Sequence, residues 1–308
     1  MLDAFHIPVT TGNADVQVFT GDAQAVGTSW KSWSKPRGKS MVNITLVGAG
    51  GNGGTGVVAA NSLAGGGAGG QSGATTIVEM PLALLPDQLF LSLAGRKPTA
   101  TANFASLVSV DPTNVANNII AFANGGLHGG NASAGTGGTV GTAAAIATAA
   151  NMPLGWMFAI QVLASQVGAA GGAAIAAVNL ALPTTGSFVT GGTGGGGLPA
   201  AAATGTSGGN LTGAGFIPTL LGGQGSATAT VPAQWGNSGF RVGKTGYFLG
   251  GTGGASTHGT ATGAGLVQSS GGNGALGCGG GGMGGALTGS TVGTVGFGGE
   301  AFCIITCW

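Results

Sequence analysis

The chain has 308 residues, of which 70 are glycine, 43% are hydrophobic and 5% are charged, with a net charge of +1. Ordinary domains carry about 25% charged residues and disordered linkers are polar, so a mean hydropathy of +0.42 excludes a linker over most of the length. The balanced charge also leaves no electrostatic footprint for nucleic acid.

In chain order, the segment 1–9 (MLDAFHIPV) has neither a basic start nor a long apolar run and is not read as a signal peptide. Val16 to Thr20 is the first predicted strand. The basic cluster Lys31, Lys35, Arg37 and Lys39 is short and flanked by aromatics, which does not suit a nucleic-acid arm. Met41 to Val47 (MVNITLV) alternates as a strand and runs into Gly48-x-Gly50-x-x-Gly53, in form a dinucleotide-binding fingerprint. Thr75 to Met80 would be its second strand and Glu79 its ribose acid. The context fails, because the crossover helix would be confined to Val57 to Ala64 before the run Gly65 to Gly73 breaks it. Gln88 to Leu93 is another strand, and Val42, Ile44 and Leu46 with Leu89, Leu91 and Leu93 supply apolar surface for one small sandwich face.

Twelve of the fifteen charged residues lie at or before Asp111, and none lies between Pro112 and Phe240. Such a stretch is expected to be buried in itself or against copies of the same chain, most simply in a trimer. Residues 1–111 are therefore read as a β-rich docking region and 112–308 as a glycine-rich domain, with 301–308 returning as a closing strand. Within it, Leu154 to Leu182 is 29 residues long without a charge, long enough for a membrane span. Gln161, Gln166 and Asn179 interrupt it and its second half is Ala/Gly, so a buried or interfacial segment is expected.

Glycine in a helix or strand interior costs roughly 0.5–1 kcal/mol relative to alanine. The runs Gly48 to Gly56, Gly65 to Gly73, Gly191 to Gly197 and Gly271 to Gly285 are thus read as backbone packed where no side chain fits. An extended helix with three residues per turn has no internal hydrogen bonds, so such helices side by side can pair every N–H and C=O with a neighbour. The expected fold is mainly β with extensive non-regular glycine-rich structure: a small β platform from the chain ends plus packed polyglycine-II-type helices.

Little points to catalysis. Gly243-Lys244-Thr245 matches the tail of a phosphate loop, but its first glycine position is Ser238 and glycine follows where a helix is needed. His6, His128 and His258 are isolated and the seven acids show no pairing. Cys303 and Cys307 would share one strand face roughly 13 Å apart, too far to bridge, and with Cys278 are read as buried free thiols. No enzyme, cofactor or metal is expected.

The layout carries a resemblance. Trp33-Ser-Lys35-Pro36-x-Gly38, Val42-x-Ile44-x-Leu46-x-Gly48-Ala-Gly50-Gly51, the run Gly65 to Gly73 and Pro81 to Leu89 (PLALLPDQL) resemble the opening of glycine-rich virion proteins of tailed bacteriophages. Asn210 to Gly223 (NLTGAGFIPTLLGG) and the close, Gly277 to Gly285 followed by Gly298-Gly299-Glu300 and Cys303 to Trp308, are similar to theirs. The resemblance implies packed polyglycine helices and loops that grip a host saccharide or outer-membrane protein, as in tail-fibre tip adhesins. It implies localisation in the virion, among other virion proteins; head decoration or a head fibre is the alternative. The Ala-rich insertion from Thr142 to Leu182 departs from that pattern.

Trp235 to Tyr247 (WGNSGFRVGKTGY) ends the charge-free stretch and holds the only tyrosine. Aromatics supply much contact area at low entropy cost, so Trp235, Arg241, Lys244 and Tyr247 are the candidate receptor contacts. The competing reading has Trp235 and Tyr247 filling the core while Arg241 and Lys244 solubilise a loop.

Overall fold

The computed structural model describes residues 14–22, 28–59, 63–96, 104–183, 187–199, 204–213, 217–228, 231–242, 247–257, 268–288 and 293–308. Among them the strands are β1 (Asp15–Thr20), β2 (Thr28–Ser34), β3 (Met41–Val47), β4 (Val58–Ala59), β5 (Thr75–Pro81), β6 (Gln88–Ala94), β7 (Ser106–Ser109) and β8 (Ile119–Ala123). They continue with β9 (Ala159–Leu163), β10 (Leu180–Ala181), β11 (Leu211–Gly213), β12 (Ile217–Leu220), β13 (Arg241–Val242), β14 (Tyr247–Phe248), β15 (Ala286–Leu287) and β16 (Phe302–Cys307). The helical elements among the described residues are three short 3-10 turns, so the protein is mainly β.

Alternation drives two sheets together. The five-stranded sheet has the order β1-β16-β3-β5-β9 and the four-stranded sheet β2-β6-β7-β8, each antiparallel throughout. In the first, Ile305 lies opposite Ile44, Ile44 opposite Val78 and Val78 opposite Ile160, giving one apolar row across four strands. In the second, Trp33 lies opposite Leu89 and Val108 opposite Leu91. These rows share one buried cluster with Val42, Leu46, Met80, Leu93, Cys303 and Cys307, the core of a β-sandwich. The expected pairing of Val42, Ile44 and Leu46 with Leu89, Leu91 and Leu93 is this interface. On the edge strand β2, Lys31 stands opposite Leu91 on the inward face, a device that discourages pairing with a further chain.

The chain ends meet as expected, with β16 between β1 and β3. The sandwich also takes β8 and β9 from further along the chain. Within Leu154 to Leu182 the structure has a short 3-10 turn, β9 and β10, and no helix among the described residues is long and apolar enough to cross a membrane.

The glycine runs carry neither helix nor strand and lie side by side. Their contacts repeat every third residue. A Cβ on Gly50, Gly53 or Gly56 would overlap the carbonyl oxygen of Cys278, Gly281 or Gly284 in turn, and one on Gly48, Gly51 or Gly54 that of Asn124, Leu127 or Gly130. Gly67, Gly70 and Gly73 meet Gly54, Gly51 and Gly48 in the reverse direction. Backbone hydrogen bonds follow the same period: Gly51 and Gly54 donate to Gln71 and Ala68 (2.8 and 2.7 Å), and Gly50 and Gly53 donate to Gly299 and Gly296 (2.8 and 2.9 Å). Close approach, rather than unusual φ, is what excludes side chains here. Positive φ occurs among the described glycines at Gly38, Gly135 and Gly277.

Where a backbone partner is lacking, a buried hydroxyl substitutes. Thr190 and Thr193, three residues apart, accept from the N–H groups of Gly250 and Gly253 (2.6 and 2.8 Å), and Thr193 Oγ1 donates to the Gly209 carbonyl at 2.6 Å. The outer face of the five-stranded sheet joins this body through Val47 and Phe302, which pack with Phe188, Val189, Phe248 and Cys278.

Candidate functional site

The segment 231–242 is held by its backbone. Gly236 and Gly239 donate to Ser270 and Asn273 (2.9 and 2.7 Å), while Asn237 and Phe240 accept from Thr252 and Leu249 (2.9 and 3.0 Å). Anchoring through main-chain groups leaves side chains outside: Trp235 is 64% exposed and Phe240 44%. Trp235 is thus a surface residue rather than part of the core.

β13 and β14 form a two-stranded antiparallel ribbon in which Arg241 lies opposite Phe248 and Val242 opposite Tyr247. Residues opposite one another share a face and neighbours alternate, so Arg241 and Tyr247 point to opposite sides. The Arg241 guanidinium sits 5.7 Å from the centroid of the Phe248 ring, a cation–π contact. Tyr247 is half-buried and packs against two apolar clusters, one with Phe248 and Phe302, the other with Leu211, Ile217 and Leu249. Lys244 and the phosphate-loop-like Gly243-Lys244-Thr245 lie outside the described residues. The structure therefore joins Arg241 and Tyr247 on one ribbon but on different faces, with Trp235 six residues before Arg241 on the preceding segment.

Sequence reasoning passed over further exposed apolar side chains. Trp156 and Met157 occupy the 3-10 turn before β9 at 42% and 77% exposure, and Ile175 and Val178 are also exposed. Their signal was present, since each lies in a stretch without charge, but a reading by segment length masks single exposed residues.

Several of the remaining chemistry-bearing groups among the described residues have structural roles, while His6 and His258 lie outside the described residues. Gly48, Gly50 and Gly53 of the fingerprint each meet a backbone carbonyl, and β4 stands where the crossover helix would begin. His128 Nδ1 accepts the Asn52 N–H at 3.1 Å, and Asn52 Oδ1 accepts the Gly298 N–H at 2.9 Å. Cys278, Cys303 and Cys307 are buried free thiols, as expected. Burial pushes all three thiols upward, Cys307 to about 11, with Asp15 adding to the rise and Lys39 opposing it. Among the described residues no group of three or more His, Cys, Asp or Glu is placed to hold a metal ion. The chain matches no protein-family model and no curated protein.

Proposed function

We propose that the chain is a structural protein of a tailed-bacteriophage virion, a tail-fibre or spike component that attaches the particle to its host. The observation that carries this reading is the three-residue contact period of the glycine runs. Three residues per turn is the period of the polyglycine-II-type helix, and a body of such helices is held by backbone groups rather than by particular side chains. Connecting segments on such a scaffold can vary without unfolding it, which suits a particle that must stay intact outside the cell while its receptor contacts change.

Exposed aromatic side chains near the glycine-rich body support the same reading. Trp235 and Phe240 offer aromatic surface to a host saccharide or outer-membrane protein, and the charge-free stretch 112–240 suits contact with other copies of the chain in a trimer and with other virion proteins. In this reading the protein binds without covalent chemistry and needs neither enzyme activity nor cofactor. The test is immunogold labelling of intact virions, with host adsorption of particles lacking the protein. Label at the tail tip and lost adsorption are expected. Label over the head with unchanged adsorption would overturn attachment in favour of head decoration.

A further inference from the structure

We propose that the groove between β1 and the β13–β14 ribbon binds an amphipathic anion, a molecule with an apolar body and a single carboxylate or similar head group. The groove has a volume of about 650 Å³, within the roughly 300–1,000 Å³ range of small-molecule sites. Its floor is the outer face of the five-stranded sheet, where Val16 and Val18 of β1 stand opposite Thr306 and Ile304 of β16. Phe248 and Leu276 form the wall beside Phe302.

Two observations point to a ligand of this chemistry. The first is apolar surface on the floor: Val16 and Val18 are 44% and 60% exposed on an edge strand. The cluster of Phe188, Phe248 and Phe302 covers the neighbouring part of the sheet and stops short of them. Burying such side chains is favourable at about 25 cal/mol per Å², so an apolar body laid along β1 would cover side chains that the other described residues leave exposed.

The second is charge. Among the described residues that line the groove, Arg241 and Glu300 are ionised. Glu300, on the groove wall, is paired with Arg96 at 3.9 Å, and Arg96 also lies 5.3 Å from the Phe297 ring centroid. Arg241 rests on the Phe248 ring, and among the described residues no carboxylate lies within 4.0 Å of it. With Glu300 engaged by Arg96, Arg241 is the cation of the described groove lining with no carboxylate partner. Arg241 lines the groove, and a guanidinium matches a carboxylate or phosphate head.

The experiment is equilibrium dialysis of the full-length protein against radiolabelled decanoate, with decanol as the neutral probe of equal chain length. One saturable equivalent of decanoate is expected, bound more tightly than decanol. Arg241→Gln, at an exposed position, should weaken decanoate at least tenfold, the scale of a lost charged hydrogen bond, and leave decanol unchanged. Val18→Glu, also exposed, should weaken both by placing a carboxylate on the apolar floor. No saturable uptake by the full-length protein, equal decanoate affinity with and without Arg241, or equal loss of both probes in Arg241→Gln would each overturn the proposal.

Discussion

Gly53 and Gly281 meet backbone to backbone: a methyl group on Gly53 would fall on the Gly281 carbonyl oxygen. The contact is one of a row, with Gly50 against Cys278 on one side and Gly56 against Gly284 on the other, so a shift of one segment disturbs the whole row. Gly53→Ala should therefore cost about 3 kcal/mol or more, at or beyond the upper end of overpacking effects. Gly38→Ala is the control. Gly38 has φ +73° but nothing within 4 Å of its would-be Cβ, so only the left-handed backbone penalty of roughly 1–2 kcal/mol applies. Urea denaturation midpoints separate the two, and equal losses would show that close approach is not what fixes the glycines.

Thr193 makes a sharper test of backbone satisfaction in the same body. Its fully buried hydroxyl accepts the Gly253 N–H and donates to the Gly209 carbonyl. Thr193→Val keeps the shape and strands both partners, at about 1–3 kcal/mol for each buried group left unpaired. Thr193→Ser keeps the hydroxyl and should retain most of the stability. Thermal unfolding in which the Val variant keeps the stability that the Ser variant loses would assign the role of Thr193 to its methyl group.

The strands and the glycine body were legible in the sequence to different degrees. β3, β5, β6 and β16 could be read because Val42, Ile44 and Leu46 alternate with polar residues and the other strands are rich in β-formers, even though both faces of β3 are buried. β2 was hidden because, in TSWKSWS, serines and Lys31 share the apolar positions of an edge strand. β9 was hidden inside a long uncharged stretch whose length suggested a different element. The glycine runs announced close packing, but the partners of each run, such as Gly50 with Cys278 over 200 residues away, depend on three-dimensional register that no local pattern encodes. The same limit applies to the candidate site: the sequence left Trp235 open between core and surface, because an aromatic beside a glycine run suits either, and the opposition of Arg241 to Phe248 follows only from pairing of β13 with β14.

Alkaline pH should destabilise the protein through its thiols. In the unfolded chain a thiol ionises near pH 8.5–9, while burial raises Cys278, Cys303 and Cys307 in the folded state, Cys307 to about 11. The folded state thus favours the protonated thiols. Stability is fully present below about pH 9 and falls as pH rises from there, by up to about 1.4 kcal/mol per pH unit for each thiol kept neutral. Denaturation midpoints at pH 8, 9 and 10 should decline, and Cys303→Val should flatten the decline. A pH-independent midpoint would mean that the thiols reach water in the native state.

Receptor attachment, in the reading proposed above, should depend on Trp235 more than on its neighbours. Its backbone segment is fixed by hydrogen bonds of Gly236 and Gly239 while its ring is 64% exposed, so Trp235→Ala removes contact area without opening a cavity and should leave the melting temperature unchanged. Tyr247 differs, since its ring is half-buried among Phe248, Phe302 and Leu249. Tyr247→Ala would cost stability, and Tyr247→Phe is the informative change there because it keeps the ring and removes only the hydroxyl. Interface hot spots, in which Trp is enriched, cost about 2 kcal/mol or more when truncated, so with Trp235 as the anchor virions carrying Trp235→Ala should adsorb about thirtyfold more weakly per site. Arg241→Ala should reduce adsorption less, because its guanidinium lies on the Phe248 ring on the other side of the ribbon from Tyr247. Adsorption unchanged by Trp235→Ala in intact particles would remove this surface from the contact and direct the search to Trp156 and Met157, which are also exposed.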